Sequence, residues 1–259
     1  MTTAPVNGQK VHFHDTEGPG PVVVFSHGTL LDADMWQPQF DALSASFRCI
    51  AWDRRLHGRT EDDGTAYTDW DSARDLFALL DHLDVERAHL VGHSQGGAVS
   101  LRAALLAPDR VASLVLSDTM AASWPPETVA TMSGAIGGLR GPGPDAVAPG
   151  LLPGLLGRSD LHPEWLAKWK AQPKDRLADA LANLLAADDV TGRIGEIAAP
   201  TFGIHGEADP IIPLAAGQAL HSGLSGSIGL LIIPGAVHTP TLTHPDQVNA
   251  PVLEFLRSV

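Results

Sequence analysis

The sequence predicts an α/β fold in which a mostly parallel central sheet carries helices on both faces. Short apolar segments rich in β-forming residues alternate with segments of helical periodicity, and their near-continuous apolarity is typical of strands buried on both faces. This alternation fails between residues 119 and 197. We therefore predict a core domain made of residues 1–118 and 198–259, and an inserted segment, residues 119–197, that forms a mainly helical lid.

Six segments have the composition of buried strands. They are rich in valine, isoleucine and other apolar residues, and helical patterns separate most of them. The predicted strands are residues 21–26, 48–53, 89–92, 111–117, 201–205 and 228–233. Because helices connect consecutive strands, the strands are expected to run parallel to one another.

Three segments of the core domain have helical patterns. The predicted helices are residues 68–83, 95–106 and 245–256. In the first of them, Thr68 can cap the N-terminus together with Asp71 three positions later. In the last, Pro251 lacks the backbone N–H that a helix interior uses, so it should kink or split the helix.

The inserted segment has two halves of different composition. Its first half is dense in glycine and proline, whereas residues 163–187 have a helical pattern with a break at Pro173. We interpret the whole segment as an insertion that lies over the ends of the strands.

Composition restricts the possible partners. With 44% apolar and 18% charged residues, the 259-residue chain is typical of a globular protein, and a formal charge of −13 excludes nucleic acid and anionic membranes as expected partners. Residues 1–10 lack an apolar core of signal-peptide length, and no stretch approaches the length of a membrane span, which predicts a cytoplasmic protein. Cys49, the only cysteine, is expected to be a buried apolar residue, so neither a disulfide within the chain nor a cysteine metal site is predicted.

A serine between two glycines marks the end of the third predicted strand. In the sequence Gly92-His93-Ser94-Gln95-Gly96, the strand gives way to an alanine-rich helix. A serine that is lifted clear of a sheet at such a turn adopts strained dihedral angles, and small neighbours relieve the crowding. Ser94 is therefore a candidate nucleophile.

A serine nucleophile needs a histidine base that a carboxylate orients. His238 follows the last predicted strand after a glycine-containing turn, and Asp209 follows the strand before it. Both are thus expected at strand ends, where the sites of α/β folds gather. Glu207 and Asp118 also follow predicted strands and remain rival candidates for the acid.

The negative charge that develops on the substrate oxygen needs preorganised donors. The backbone N–H groups of Gln95, at the helix start, and Thr29, next to Gly28, are the candidates. His27 is expected to orient this loop through hydrogen bonds, and Trp36 is expected to pack in the core.

Taken together, these motifs resemble the α/β-hydrolase family. The matching elements, spread over nearly the whole chain, are His27-Gly28, the segment 53–60 (DRRLHGRT), Ser94, the segment 206–209 (GEAD) and the segment 235–238 (GAVH). The resemblance implies Ser94 as nucleophile, Asp209 as acid, His238 as base, and Thr29 and Gln95 as backbone oxyanion donors. Two departures are Leu56, where the family commonly has glycine, and Pro251 in the last helix.

Within the family, the serine at position 94 argues against haloalkane dehalogenases and epoxide hydrolases, which use aspartate there. Thr239 replaces the lysine that follows the histidine in hydroxynitrile lyases. The layout is most similar to bacterial esterases and 3-oxoadipate enol-lactonases, which implies hydrolysis of an ester, lactone or thioester without metal or organic cofactor. Carbon–carbon bond hydrolysis and cofactor-free perhydrolysis are the alternatives, and a ligand receptor on a hydrolase scaffold is the alternative from another class.

Apolar residues near the site suggest a small, neutral and fairly apolar ester or lactone as substrate. The candidate substrate-binding residues are Leu30, Met120, Trp124, Trp165 and Val237. The alternative is that those in the inserted segment form its own core. An acidic substrate would require a cation in the pocket, for which Arg54, Arg55 and Lys168 are the candidates.

Overall fold

An eight-stranded sheet forms the centre of the computed structural model, which describes residues 2–173 and 175–259. The strands are β1 (Thr3–Val6), β2 (Gln9–Asp15), β3 (Val22–Ser26), β4 (Arg48–Trp52), β5 (Ala88–His93), β6 (Val111–Ser117), β7 (Thr201–Gly206) and β8 (Ser227–Ile233). Their order in the sheet is β1-β2-β4-β3-β5-β6-β7-β8. The last six strands in this order, β4, β3, β5, β6, β7 and β8, are parallel to one another, which confirms the predicted α/β fold.

The sheet begins with an antiparallel hairpin that the sequence analysis did not predict. β1 and β2 pair with each other, and β2 pairs antiparallel with β4. Asn7 and Gly8 form the turn between β1 and β2. Both residues have a positive φ, as the tightest hairpin turns require. The Asn-Gly pair was the available signal, but the charged and histidine-containing sequence of β2 does not resemble a buried strand.

The described part of the chain contains ten α-helices. They are α1 (Gln37–Leu43), α2 (Asp69–His82), α3 (Gln95–Leu106), α4 (Pro126–Arg140), α5 (Pro144–Leu156), α6 (His162–Ala171), α7 (Arg176–Leu185), α8 (Leu214–Gly223), α9 (Pro240–Thr243) and α10 (Pro245–Ser258). Of these, α1 to α8 lie between strands, and α9 and α10 follow β8. The predicted cap of α2 is present: Thr68 Oγ1 accepts from the Asp71 N–H, and Asp71 Oδ2 accepts from the Thr68 N–H. The predicted split of α10 is wrong, because one helix continues through Pro251.

Side chains of the central strands β3 to β6 enter two separate cores, one on each face of the sheet. On β3, Val23 and Phe25 belong to the core that also contains Val248 and Val252 of α10, whereas Val24 belongs to the core on the opposite face. That second core contains apolar side chains of α2 and α3. This period of two is what a strand buried on both faces requires.

The inserted segment contains the four helices α4 to α7. The break near Pro173 is confirmed, since α6 ends at Ala171 and α7 begins at Arg176. Restricting the helical pattern to the second half was wrong, because α4 and α5 occupy the first half. Pro126 and Pro144 each begin a helix, a position where the missing N–H has no partner to lose.

Two single residues, Cys49 and Trp36, were expected to lie in the core, and no membrane span was expected. Cys49 is fully buried on β4, and burial raises the pKa of its thiol to about 12, so it is an apolar core residue as expected. Trp36 is also fully buried, in the same core as Phe25. Within residues 2–173 and 175–259, no helix is long and apolar enough to cross a bilayer.

Candidate active site

Ser94 occupies the turn between β5 and α3, where the chain reverses its direction tightly. Its φ of 53° and ψ of −120° lie in a region that residues other than glycine rarely adopt. The flanking glycines explain how the turn fits: a Cβ added to Gly96 would overlap the carbonyl oxygen of Ser26, and one added to Gly92 would overlap the carbonyl oxygen of Gly96. The structure thus contains the strained elbow that the sequence predicts.

Gly96→Ala is expected to disturb the loop that faces the elbow. The added methyl group would push away the Ser26 and His27 carbonyls, so we expect the free energy of unfolding to fall by about 1–3 kcal/mol. Thermal unfolding measures this. Gly134→Ala in α4 is the matched control, because its Cβ would meet nothing within 4 Å, and alanine should stabilise the helix by about 0.5–1 kcal/mol. Equal stability of the two variants would contradict the packing argument.

Three side chains meet at the carboxyl edge of the sheet. Ser94 follows β5, Asp209 follows β7 and His238 follows β8, and all three are buried. His238 Nε2 lies 2.9 Å from Ser94 Oγ, and His238 Nδ1 lies 2.8 Å from Asp209 Oδ2. The parallel strands bring together residues that are up to 144 positions apart in sequence.

The Asp209 carboxylate determines how this chain of hydrogen bonds is directed. Its Oδ1 accepts from the backbone N–H groups of Ile211 and Ile212, at 2.8 and 3.1 Å. An ionised carboxylate only accepts, so His238 Nδ1 must carry the proton that it donates to Oδ2. Nε2 is then the bare nitrogen, and it accepts the hydrogen bond of the Ser94 hydroxyl.

Asp118, one rival acid, lies close to this chain but has other partners. Its Oδ1 accepts from the Gly206 N–H at 2.7 Å, and its Oδ2 accepts from the Ser117 hydroxyl at 2.6 Å. Burial and the neighbouring Asp209 charge raise the pKa of Asp118 well above its ordinary value. In the structure, His238 is therefore hydrogen-bonded to Asp209 and not to Asp118.

Glu207, the other rival, points elsewhere. It is exposed, and its Oε2 accepts from the backbone N–H of Gly235 in the turn after β8. This hydrogen bond holds the turn after β8.

Asp118, Asp209 and His238 also qualify by distance as a possible metal-binding group. One potential ligand atom from each lies within 4.8 Å of the others. The hydrogen bonds described above already use these carboxylate oxygens and the His238 Nδ1, so the cluster is explained without an ion.

The two predicted oxyanion donors are adjacent. The Thr29 hydroxyl donates to Gln95 Oε1 at 2.5 Å, and a Cβ on Gly28 would lie 3.2 Å from the Ser94 Cβ. As the first residue of α3, Gln95 has an N–H that the helix leaves unpaired. Among the described residues, no group accepts from the Thr29 N–H. Both backbone N–H groups are therefore unpaired among the described residues, and they belong to the two segments that flank Ser94.

His27 holds the loop that carries Thr29 through hydrogen bonds, as predicted. His27 Nδ1 hydrogen-bonds to the Gly28 carbonyl at 2.7 Å, and its Nε2 accepts from the Arg54 N–H at 3.1 Å. Burial, together with the Arg54 charge, lowers the pKa of His27 well below its ordinary value, which suits a neutral structural role. Leu56, where the family commonly has glycine, adopts a left-handed φ of 64°.

A narrow cleft opens beside Ser94, with a cavity volume of ≈ 20 Å³. Of the candidate substrate-binding residues, Met120 and Trp124 line this cleft. Leu30 and Trp165 instead line a separate cavity of ≈ 10 Å³, and Trp165 is only 3% exposed within the core. Val237 is half-buried and lies against Gly157 of the inserted segment. The five candidate substrate-binding residues therefore do not form one pocket.

Two of the three candidate cations are paired with carboxylates, and the third, Arg54, does not line the cleft. Lys168 donates to the carboxylates of Asp32 and Asp34, and Arg55 pairs with Asp75. Arg54 is fully buried: its Nε donates to the His27 carbonyl, and its Nη atoms have no partner among the described residues.

Several polar residues of the cleft were not found from the sequence. Asp69, Arg102 and Asp188 line it together with Ser94 and Gln95. They come from distant parts of the chain and belong to no motif. Only folding brings them to the same cleft.

The fold is that of an α/β hydrolase. The family model described as alpha/beta hydrolase fold matches residues 21–142. A curated relative named "Putative carbamate hydrolase RutD", from Variovorax paradoxus (strain S110), is 34% identical over 95% of this chain and 96% of its own length. The chain therefore belongs to the α/β-hydrolase family.

Two solved structures have closely similar folds. A thermophilic esterase from Thermogutta terrifontis superposes with a TM-score of 0.90, at 27% identity over 99% of this chain and 98% of the other. The enol-lactonase from Burkholderia xenovorans LB400 also superposes with a TM-score of 0.90, at 26% identity over 99% and 100%. These relatives include ester and lactone hydrolases, as the sequence resemblance implied.

Proposed function

We propose that this protein hydrolyses a small, neutral carboxylic ester or lactone through an acyl-enzyme on Ser94. The observation that carries the proposal is the continuous hydrogen-bond chain from Asp209 through His238 to the Ser94 hydroxyl, beside two free backbone donors. A serine hydroxyl is a weak nucleophile unless a base removes its proton, and this chain supplies that base.

In the first half of the reaction, His238 Nε2 takes the Ser94 proton while Oγ attacks the substrate carbonyl. The Thr29 and Gln95 N–H groups stabilise the oxyanion, and Asp209 stabilises the imidazolium. The leaving alcohol then takes the proton from Nε2. In the second half, His238 activates a water molecule, which releases the acid and regenerates the Ser94 hydroxyl.

The cleft supports a short, neutral substrate. The cleft volume of ≈ 20 Å³ is only slightly more than a single water molecule needs. Its charged lining residues are the carboxylates of Asp69 and Asp188 and the guanidinium of Arg102, which is hydrogen-bonded to Asp188. An anionic substituent would meet two carboxylates and one cation already paired. Met120 and Trp124 supply the apolar wall, and the inserted segment is proposed to act as the lid.

We expect neutral short-chain esters to be hydrolysed with a kcat/KM at least about tenfold above that of isosteric anionic esters. The test is a panel of nitrophenyl esters of graded chain length and of lactones, in which p-nitrophenyl pentanoate is matched with p-nitrophenyl hemisuccinate. A preference for the hemisuccinate would contradict the neutral-substrate assignment. Tight retention of one ligand without turnover of any ester would favour the receptor alternative.

A carbamate is the second candidate substrate. It is favoured by the 34% identity to a relative whose name describes a carbamate hydrolase. The same nucleophile and oxyanion donors would serve, since a carbamate carbonyl passes through the same tetrahedral geometry. Adding carbamate esters to the panel compares the two directly.

A further inference from the structure

The cleft beside Ser94 has a polar end that the proposed reaction does not use. Asp69, the first residue of α2, lines the cleft, and its side chain is 1% exposed. Its Oδ1 accepts from Gln95 Nε2 at 2.9 Å, but Oδ2 is buried and has no hydrogen-bond partner within residues 2–173 and 175–259. A buried acceptor without a donor is costly, so this oxygen requires a donor that the described part of the chain does not supply.

Arg102 presents an unused donor across a gap from this oxygen. Its Nε donates to Asp188 Oδ1, its Nη2 to the Asp188 carbonyl and Oδ1, and its Nη1 to the Ala98 carbonyl. These bonds use four of the five guanidinium N–H groups. The remaining one belongs to Nη1, which lies 3.9 Å from Asp69 Oδ2, beyond hydrogen-bond length.

Building on the proposed hydrolase function, we propose that Asp69 and Arg102 form a subsite for a hydroxyl or carboxamide group on the substrate. Such a group donates one hydrogen bond to Asp69 and accepts one from Arg102. A methyl group does neither, and a carboxylate cannot donate. The small volume of the cleft limits the substituent that carries this group to a few atoms.

The charges around the gap agree with a neutral ligand. Burial raises the pKa of Asp69, although Arg102, Arg54 and the Gln95 hydrogen bond oppose the rise. The neighbouring Asp188 carboxylate is fixed by Arg102 and by the Trp70 indole N–H. Arg102, the cation among the described residues that line the cleft, is already paired with Asp188, so an acid finds no free cation there. The raised pKa of Asp69 weakens its negative charge toward an amine.

Two pairs of esters test the subsite, each replacing a methyl group by a hydroxyl. p-Nitrophenyl butanoate against p-nitrophenyl 3-hydroxypropanoate varies the acyl side, and propyl acetate against 2-hydroxyethyl acetate varies the alcohol side. In one pair we expect the hydroxylated ester to have a kcat/KM about 10- to 100-fold higher. The pair that responds identifies which substituent enters the cleft.

Variants of Asp69 connect this preference to the subsite. In Asp69→Ala we expect the ratio of the responding pair to fall to about one, because the acceptor is gone. If thermal unfolding shows that this variant does not fold, Asp69→Asn is used: its amide places a donor beside the Arg102 donor, so the ratio also falls. Asp81→Asn is the matched control, since this carboxylate is exposed on the same helix, and the ratio should not change.

The outcomes separate the subsite from the proposed function. No hydroxyl preference in either pair, or a preference that survives the Asp69 variants, overturns the subsite and assigns the gap to a bridging water. Hydrolysis of p-nitrophenyl butanoate that does not depend on Ser94 overturns the proposed function itself.

Discussion

Ser94→Ala is expected to lower kcat for the preferred ester by about 10⁴- to 10⁶-fold, with little change in stability. Alanine removes the atom that attacks the carbonyl, and His238 then has no hydroxyl to deprotonate. Steady-state turnover measures the loss, and mass spectrometry of the protein quenched during turnover provides a second readout. We expect the acyl mass on a peptide that contains Ser94 in the wild type and nowhere in the variant.

Ser100→Ala is the matched control for this experiment. Ser100 is a fully buried serine within α3, the helix that follows Ser94, and its hydroxyl donates to the Gly96 carbonyl rather than to His238. Its loss should change kcat by less than about tenfold, in line with the removal of one neutral hydrogen bond. Turnover by Ser94→Ala at the wild-type rate would exclude covalent catalysis at this position.

Those parts of the fold that depend on local patterns could be predicted from the sequence. The parallel strands are mostly apolar, and Thr68 with Asp71 forms the cap that begins α2. Elements whose stability comes from their surroundings were missed. β2 is polar along much of its length and pairs at the margin of the sheet, and α5 continues through Pro149 and Pro153, where propensity predicts a break.

The same division applies to the site. Ser94, Asp209 and His238 each follow a strand, so the carboxyl edge of the sheet was predictable as their meeting place. Strand ends alone left Asp118 and Glu207 as rival acids, and only the family resemblance implied Asp209. Asp118 and Asp209 end neighbouring strands, so side-chain geometry is what separates them. Asp69 belongs to no motif, and it reaches the cleft only because α2 packs beside α3.

The apolar candidates show a related limit. Trp165 is a large aromatic residue of the kind that lines binding pockets. In the structure it is buried in a core of the protein, with the Lys168 ammonium over its ring. Aromatic residues serve both purposes, and a sequence does not reveal which surface of the inserted segment faces Ser94.

Asp209→Asn is expected to lower kcat by about 10³- to 10⁴-fold while the fold stays intact. The asparagine Oδ1 would keep the Ile211 and Ile212 N–H bonds, which turns the amide NH₂ toward His238. His238 Nδ1 must then accept, so its proton moves to Nε2. An Nε2–H faces Ser94 as a donor and cannot take the hydroxyl proton.

Asp118→Asn completes this experiment, because the two acids end adjacent strands and both lie near His238. Asp118 contacts Gly206 and Ser117, and its raised pKa favours the neutral carboxyl that an asparagine imitates. We therefore expect its kcat to stay within about tenfold of the wild type. Comparing kcat of the two variants on one ester is sufficient. If Asp118→Asn were the more damaging change, the acid of the catalytic chain would be Asp118 and the tautomer argument would fail with it.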